Sequence, residues 1–148
     1  MDNKFDVVIV GTGAAGLYAA LNFPESVNIL LVSKRELQLS NSSLAQGGVA
    51  CVLDTVHDSY KLHITDTLIA GKYKNTLSAV EKLVTEGPSD VLKIKDLGVD
   101  FDLNEDGTMC KTLEAGHSRN RIVHHKDSTG KAIVDGLIAK VTQLKNVT

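Results

Sequence analysis

The chain has 148 residues, 43% of them hydrophobic, and a formal net charge of −2. A chain of this length buries about 70% of the surface it exposes when unfolded, and its 23% of charged residues is ordinary, so wholesale disorder is excluded. Sixteen basic against eighteen acidic residues leave no field to attract a phosphodiester backbone, and 4% aromatics with no Trp form no stacking platform, which argues against nucleic acid as a partner.

Cys51 and Cys110 make no disulfide framework, and no CxxC pair suggests zinc or redox chemistry. The opening Met1-Asp2-Asn3-Lys4-Phe5-Asp6 is polar and carries two acids, unlike a signal peptide. The apolar run behind it is broken by Gly11 and Gly13, long before the roughly 20 residues that a bilayer requires. These features describe a soluble cytoplasmic chain with no membrane partner.

Val7-Val8-Ile9-Val10 is a short β-branched run of the kind found in strands buried on both faces of a parallel sheet. Gly11-Thr12-Gly13-Ala14-Ala15-Gly16 follows, then a helix-favouring stretch from Leu17 to Phe23 that Pro24 ends. Val27 to Val32 reads as a second strand. Strand, glycine turn, helix and strand over residues 5–34 make a βαβ unit with a right-handed crossover. Residues 33–50 read as a Ser-, Asn- and Gly-rich loop. From about Asp58 to Ile69, the spacing of Tyr60, Ile64 and Leu68 is helical. Thr76 is placed to cap a helix with Leu77, Val80, Leu83 and Val84 on one face, which Gly87-Pro88 breaks. A further helical stretch runs to Leu97, with Gly98 at the C′ position. Val99, Phe101 and Leu103 alternate with acids before Asn104-Glu105-Asp106-Gly107, a hairpin signal. Residues 114–129 lack apolar periodicity and collect His117, Arg119, Arg121, His124 and His125. Ile133, Leu137, Val141 and Leu144 then mark a helix over about 130–145, and Asn146-Val147-Thr148 looks like the start of another strand. The fold class is α/β: a Rossmann-like βαβ unit with a parallel sheet, a helical and hairpin excursion over about 57–113, and an incomplete domain.

Each glycine of the turn has a separate physical task. Gly11 permits the tight turn, Gly13 lets main-chain N–H groups approach a pyrophosphate, and Gly16 lets helix and strand pack closely. The phosphates then lie at a helix N-terminus, where unpaired N–H groups and the macrodipole favour anions. A glycine turn serving packing alone is the alternative, but strand and helix both fall where the dinucleotide motif needs them. NAD binding usually wants an acid at the end of the second strand; here that place is Ser33-Lys34, with Glu36 two residues into the loop. A plain NAD dehydrogenase is therefore disfavoured.

At Ser33-Lys34 and again at Ser42-Ser43-Leu44-Ala45-Gln46-Gly47-Gly48-Val49-Ala50, the chain resembles the fumarate reductase/succinate dehydrogenase flavoprotein superfamily. The glycine turn, Asp66-Thr67-Leu68-Ile69-Ala70-Gly71 and Gly98-Val99-Asp100-Phe101-Asp102 agree with it. The string from Glu114-Ala115-Gly116-His117-Ser118 through Arg121-Ile122-Val123-His124 to Asp127-Ser128-Thr129-Gly130 is similar to its aspartate-oxidising branch. The resemblance spans nearly the whole chain and implies the N-terminal part, residues 1–148, of a single FAD-binding domain.

By resemblance, FAD is bound at the turn Gly11, Thr12, Gly13, Ala14, Ala15 and Gly16, with Thr12, Gly13, Ala14 and Ala15 lining its pyrophosphate and Lys34 near its adenosine half. Asn41, Ser42, Ser43, Leu44, Ala45, Gln46, Gly47 and Gly48 wrap the flavin side. Membrane-complex relatives carry at the place of Asn41 a histidine bonded covalently to FAD, so the resemblance implies a dissociable flavin here. Glu114 falls where the aspartate-oxidising members place a substrate-orienting acid. A carboxylate there attracts the α-ammonium of L-aspartate and repels a dicarboxylate lacking one. The family carries glycine where this chain has Ala115; a backbone needing positive φ there would cost alanine roughly 1–2 kcal/mol.

The resemblance further implies oxidation of L-aspartate to iminoaspartate, with electrons passed to O2 or fumarate. The imine is consumed by quinolinate synthase in NAD biosynthesis. An arginine base, substrate-clamping histidines and the second half of the FAD domain are expected beyond Thr148, so no catalytic residue for proton transfer is expected in this piece. A soluble fumarate reductase and a non-catalytic nucleotide-binding module are the competing readings. For the His/Arg cluster, a metal site lacks carboxylate or thiolate partners at ligand spacing. Adjacent His117 and Ser118 do not place a hydroxyl on a base. A polar segment beside a site for a dianionic substrate is the preferred reading of these residues.

Overall fold

The computed structural model describes residues 4–148; the opening Met1-Asp2-Asn3, part of the polar segment weighed against a signal peptide, lies outside the described residues. In chain order the elements are β1 (Val7–Val10), α1 (Ala14–Leu21), β2 (Ile29–Val32), β3 (Val49–Ala50), α2 (Tyr60–Ala70), α3 (Leu77–Asp96), β4 (Lys111–Thr112), β5 (Ile122–Val123) and α4 (Thr129–Val141).

β1 and β2 pair in parallel, from Val7 opposite Ile29 to Val10 opposite Val32, with α1 as the crossover that a parallel pair requires. On the other edge of β2, Val147 bridges to Ile29 in parallel. Ile29 N donates to Asn146 O at 2.8 Å and Leu31 N to Thr148 O at 2.9 Å, so the last residues form a third parallel strip. α1 and α4 lie together on one face of this sheet, where Leu17, Ala20, Val134, Leu137 and Val141 form a core with Ile9 and Leu31 packed against it. The second sheet is antiparallel, in the order β3-β5-β4. Cys51, Val91, Val99, Phe101, Met109 and Val123 make its core.

Several expectations are corrected. β1 is not buried on both faces: Val8 is 56% and Val10 83% exposed, because the described helices cover one face of the sheet and leave the other bare. α1 starts at Ala14 rather than Leu17 and ends before Phe23. Gly87-Pro88 does not break α3, which runs unbroken to Asp96 with Pro88 inside it. A proline in a helix interior costs about 3 kcal/mol, and burial of the stripe Val80, Val84, Pro88 and Val91 offsets that. Leu77 and Leu83, assigned to the apolar face, are exposed; Val80 and Val84 carry it.

In α2 the buried residue is His63, while Tyr60 is exposed and Ile64 and Leu68 half-buried. The loop read over 33–50 contains β3, and the polar, non-periodic segment 114–129 contains the fully buried β5. α4 ends at Val141 rather than near 145, and its buried stripe is Val134, Leu137 and Val141. Gly98, at φ +97°, closes α3 as expected: its N–H donates to Lys95 O at 2.8 Å, and Val99 N donates to Ile94 O at 3.0 Å. The hairpin forms at Asn104–Gly107 as a bridge between Leu103 and Met109.

Candidate functional site

The glycine turn leaves β1 and enters α1. Gly11 takes φ +113°, and its N–H extends the parallel ladder by donating to Val32 O at 2.8 Å. A Cβ on Gly16 would run into the Gly11 carbonyl oxygen and lie 3.3 Å from Ile9 Cγ2, so this glycine sets the strand–helix approach. A Cβ on Gly13 would stand 2.9 Å from Ser42 Oγ. Its absence lets Ser42 reach the start of α1, where the hydroxyl accepts the Ala14 N–H at 3.2 Å. Among the described residues, the N–H groups of Gly13, Ala15 and Gly16 find no partner. They form an open donor set at a helix N-terminus, the arrangement that binds anions.

A cleft of about 550 Å³ opens on this turn, walled by Gly11 to Gly13, by Ser33 to Arg35 after β2, and by Leu39 to Ser42 with Leu44. The Thr12 hydroxyl donates to Ser33 Oγ at 3.0 Å, tying the turn to the end of β2 and burying Thr12. Lys34 and Arg35 place two exposed cations on the rim. The structure therefore brings Gly11, Thr12, Gly13, Lys34, Asn41, Ser42 and Leu44 to one cleft, with Ala14, Ala15 and Gly16 beneath it. Open amides, a hydroxyl and two cations suit a diphosphate.

The other half of the 41–48 loop runs elsewhere. Ser43 is engaged locally: its hydroxyl accepts Ser40 N and donates to Ser40 O, and its own N–H donates to Ser40 Oγ. Ala45, Gln46 and Gly47 are exposed, and Gly48 lies against β5, where a Cβ would collide with Ile122 Cγ2 and approach Val123 O to 2.5 Å. α4 holds the loop from below. Gly130 N donates to Ala45 O at 3.1 Å, and a Cβ on Gly130 would strike Ser42 O.

Glu114 is exposed, and its Oε2 lies 3.9 Å from where a Cβ on Gly47 would be. Gly47 and the candidate substrate acid are thus neighbours, although 67 positions separate them (114 − 47). The strain anticipated at Ala115 does not arise: the positive φ falls on the next residue, Gly116, at +86°.

Arg121 is not a solvated or substrate-facing cation. Its side chain is 0% exposed, and it donates to Asp58 through Nε (2.8 Å) and Nη2 (2.7 Å) and to Asp66 through Nη1 (2.6 Å). Burial raises the pKa of both acids, but the hydrogen bonds from Arg121, with the Ser59 amide on Asp58 and Ser118 on Asp66, hold both below the usual carboxylate value. Burial, then the charges of Arg121 and His117, push His63 down to about 4. His124 Nδ1 lies 2.9 Å from Asp102 Oδ2, which also accepts Lys126 N at 2.6 Å, so this histidine serves the turn into α4. Sequence reasoning missed Asp58, His63 and Asp66 as partners of this segment. The spacing of His63 and Asp66, three apart on one helix face, was the available signal.

A parallel strand, glycine turn and helix with open N-terminal amides, facing two cations at the end of the second strand, define a dinucleotide-binding domain of the flavoprotein kind. The chain belongs to the FAD binding domain family, whose model matches residues 6–148, and its cofactor is FAD. It is 46% identical over 147 residues to an L-aspartate oxidase of Clostridium perfringens, covering 99% of this chain and 33% of that protein. With an L-aspartate oxidase of Acinetobacter baylyi it shares 44% over 146 residues, 99% of this chain and 27% of the relative. The chain thus spans about a third or less of the length of these curated relatives. Among solved structures, an E. coli quinol fumarate reductase superposes with a TM-score of 0.93 at 27% identity, over 97% of this chain and 25% of that one. No described helix is long and apolar enough to cross a membrane.

Proposed function

We propose that this chain is the FAD-binding portion of an enzyme that oxidises L-aspartate to iminoaspartate, passing electrons to O2 or fumarate. The imine is then consumed by quinolinate synthase in the cytoplasm, on the way to NAD. The observation that carries this reading is the placement of the Glu114 carboxylate beside Gly47, at the end of the loop that begins in the dinucleotide cleft. Similarity to two L-aspartate oxidases supports it.

The chain's residues divide the work. Gly13, Ala15 and Gly16 N–H groups receive the diphosphate, Lys34, with Arg35 beside it on the cleft wall, lies near the adenosine half, and Asn41, unable to form the covalent link of a histidine, leaves the cofactor dissociable. FAD, when bound, supplies the two-electron acceptor. Glu114 orients the substrate: at about 4 Å and an effective dielectric near 20, a carboxylate–ammonium pair is worth up to about 4 kcal/mol, an attraction that a substrate without the ammonium forfeits. Proton abstraction falls to the remainder of the longer protein. A soluble fumarate reductase flavoprotein is the second reading, favoured by the superposition on quinol fumarate reductase.

The test is Glu114→Gln in the full-length protein. It should harm aspartate oxidation about tenfold or more beyond its effect on fumarate reduction. Equal losses on both would show that Glu114 does not read the ammonium, and the fumarate reductase reading would take its place.

A further inference from the structure

The connection between β4 and β5, residues 113–121, carries Glu114 near one end and Arg121 at the other. Paired strands close its base, with Lys111 opposite Val123 and Thr112 opposite Ile122. Along its length it leans on one side of α2. A Cβ on Gly116 would sit 3.8 Å from Ala70 Cβ; the His117 ring lies 5.5 Å from that of His63; Arg121 Nη1 donates to His117 Nδ1 at 3.1 Å. His63, Asp66 and Ala70 lie three and four apart, which is one helical face.

Asp66 is where these ties converge. Its Oδ2 alone accepts three hydrogen bonds: from Ser118 N at 2.8 Å, from Ser118 Oγ at 2.8 Å and from Arg121 Nη1 at 2.6 Å. Arg121 is held from the other side by the bidentate Asp58 pair, so its guanidinium is fixed in plane and cannot swing with the loop. An exposed acid on a nine-residue connection (121 − 113 + 1) would otherwise have many positions open to it. Here the middle and far end of the connection are fastened to a helix, which leaves Glu114 little freedom beyond its own rotamers.

We propose that Asp66, acting through Ser118 and Arg121, is a positioning residue that fixes Glu114 beside Gly47 and so sets the preference for substrates carrying an α-ammonium. This rests on the reading of Glu114 given above. Asp66 does not touch the substrate; it determines where the carboxylate that does so stands. Since 3.9 Å separates Glu114 Oε2 from the Cβ direction of Gly47, a loop drifting by an ångström or two moves the acid out of register with any ligand seated on that glycine.

The experiment uses the full-length, FAD-loaded protein and four variants: Glu114→Gln, Asp66→Asn, Ser118→Ala and the double variant Asp66→Asn/Glu114→Gln. Three quantities are measured: the ratio of kcat/KM for aspartate oxidation to that for fumarate reduction, the flavin bound per chain, and Tm. Asp66→Asn and Ser118→Ala should each lower the ratio about fivefold or more, chiefly through KM for aspartate, with flavin content unchanged. The double variant should lie no lower than Glu114→Gln alone, because both changes act through one carboxylate. Equal loss on both reactions, or full additivity in the double variant, would overturn the inference and mark the cluster as a purely structural brace. Should Asp66→Asn fail to fold, Ser118→Ala, which removes one hydroxyl from an exposed residue, decides alone. If Glu114→Gln shifts the ratio and the other single variants do not, only the positioning role fails. If Glu114→Gln leaves the ratio unmoved, the aspartate reading fails with it.

Discussion

Replacing Gly130 with alanine probes the coupling between α4 and the loop over residues 41–48. Gly130 is the second residue of α4, fully buried, with its N–H on Ala45 O at 3.1 Å. A Cβ there meets Ser42 O and stands 2.8 Å from Ala45 O and 2.9 Å from Ala45 Cβ, where ordinary contacts begin near 3.4 Å. Two of the three atoms are main-chain oxygens, so no side chain can rotate away, and the 42–45 segment must retreat by half an ångström or more. Overpacking of this kind costs about 1–3 kcal/mol, and the weakened Gly130–Ala45 hydrogen bond about 1 kcal/mol more. Alanine's better helix propensity returns at most about 1 kcal/mol. A net loss of about 1–3 kcal/mol remains. Because Ser42 moves with the segment, its hydroxyl leaves the Ala14 N–H and the cleft wall shifts. Flavin affinity should fall about fivefold or more, at 1.4 kcal/mol per factor of ten. Flavin titration of the purified Gly130→Ala protein, with circular dichroism to confirm that helix content persists, reads this directly. Unchanged affinity together with unchanged Tm would refute the reasoning, since the loop would then have absorbed a methyl group for which the structure shows no space.

Gly13→Val should abolish flavin retention in the full-length protein, as the side chain would displace Ser42 Oγ, already 2.9 Å from a Cβ, and cover the open amides; a fully yellow variant would contradict the placement of the diphosphate. The 148-residue chain by itself should show no aspartate-dependent flavin reduction, and turnover by that piece would disprove the assignment of proton transfer to the rest of the protein. His63 titrates near 6.5 when unfolded and at about 4 when folded, so between these values the unfolded chain binds more protons, and stability declines as pH falls through the window. His63→Gln should flatten Tm against pH between about 6.5 and 4, while the depressed Asp58 and Asp66 contribute their own loss only below about 4. An unaltered slope would mean that His63 is not the group responsible.

The local chemistry of the dinucleotide site was legible in the residues themselves. A β-branched run closed by Gly11-Thr12-Gly13-Ala14-Ala15-Gly16 has few other conformations open to it, and Gly98 reads as a helix terminus because φ +97° suits little else. Periodicity misled where tertiary contacts outweighed it. Pro88 signals a helix end by propensity, yet it lies in a buried stripe whose packing holds the helix together. In α2 the spacing of Tyr60, Ile64 and Leu68 marked the helix but not its buried position, which went to His63, because that side meets a loop bearing Arg121 rather than an apolar core.

What the sequence determined on its own is contiguous: a strand, a glycine turn, a helix and a second strand, and hence a helix N-terminus with open amides in a family whose cofactor is FAD. The tertiary structure decided everything that depends on residues far apart in the chain. It seated Ser42 on Ala14, drew Gly130 under Ala45, turned Arg121 inward onto Asp58 and Asp66, and brought Glu114 beside Gly47. The reason is physical: backbone geometry and turn chemistry are written within a few neighbouring residues, whereas the partner of a buried charge is set by which surfaces the folded core presses together.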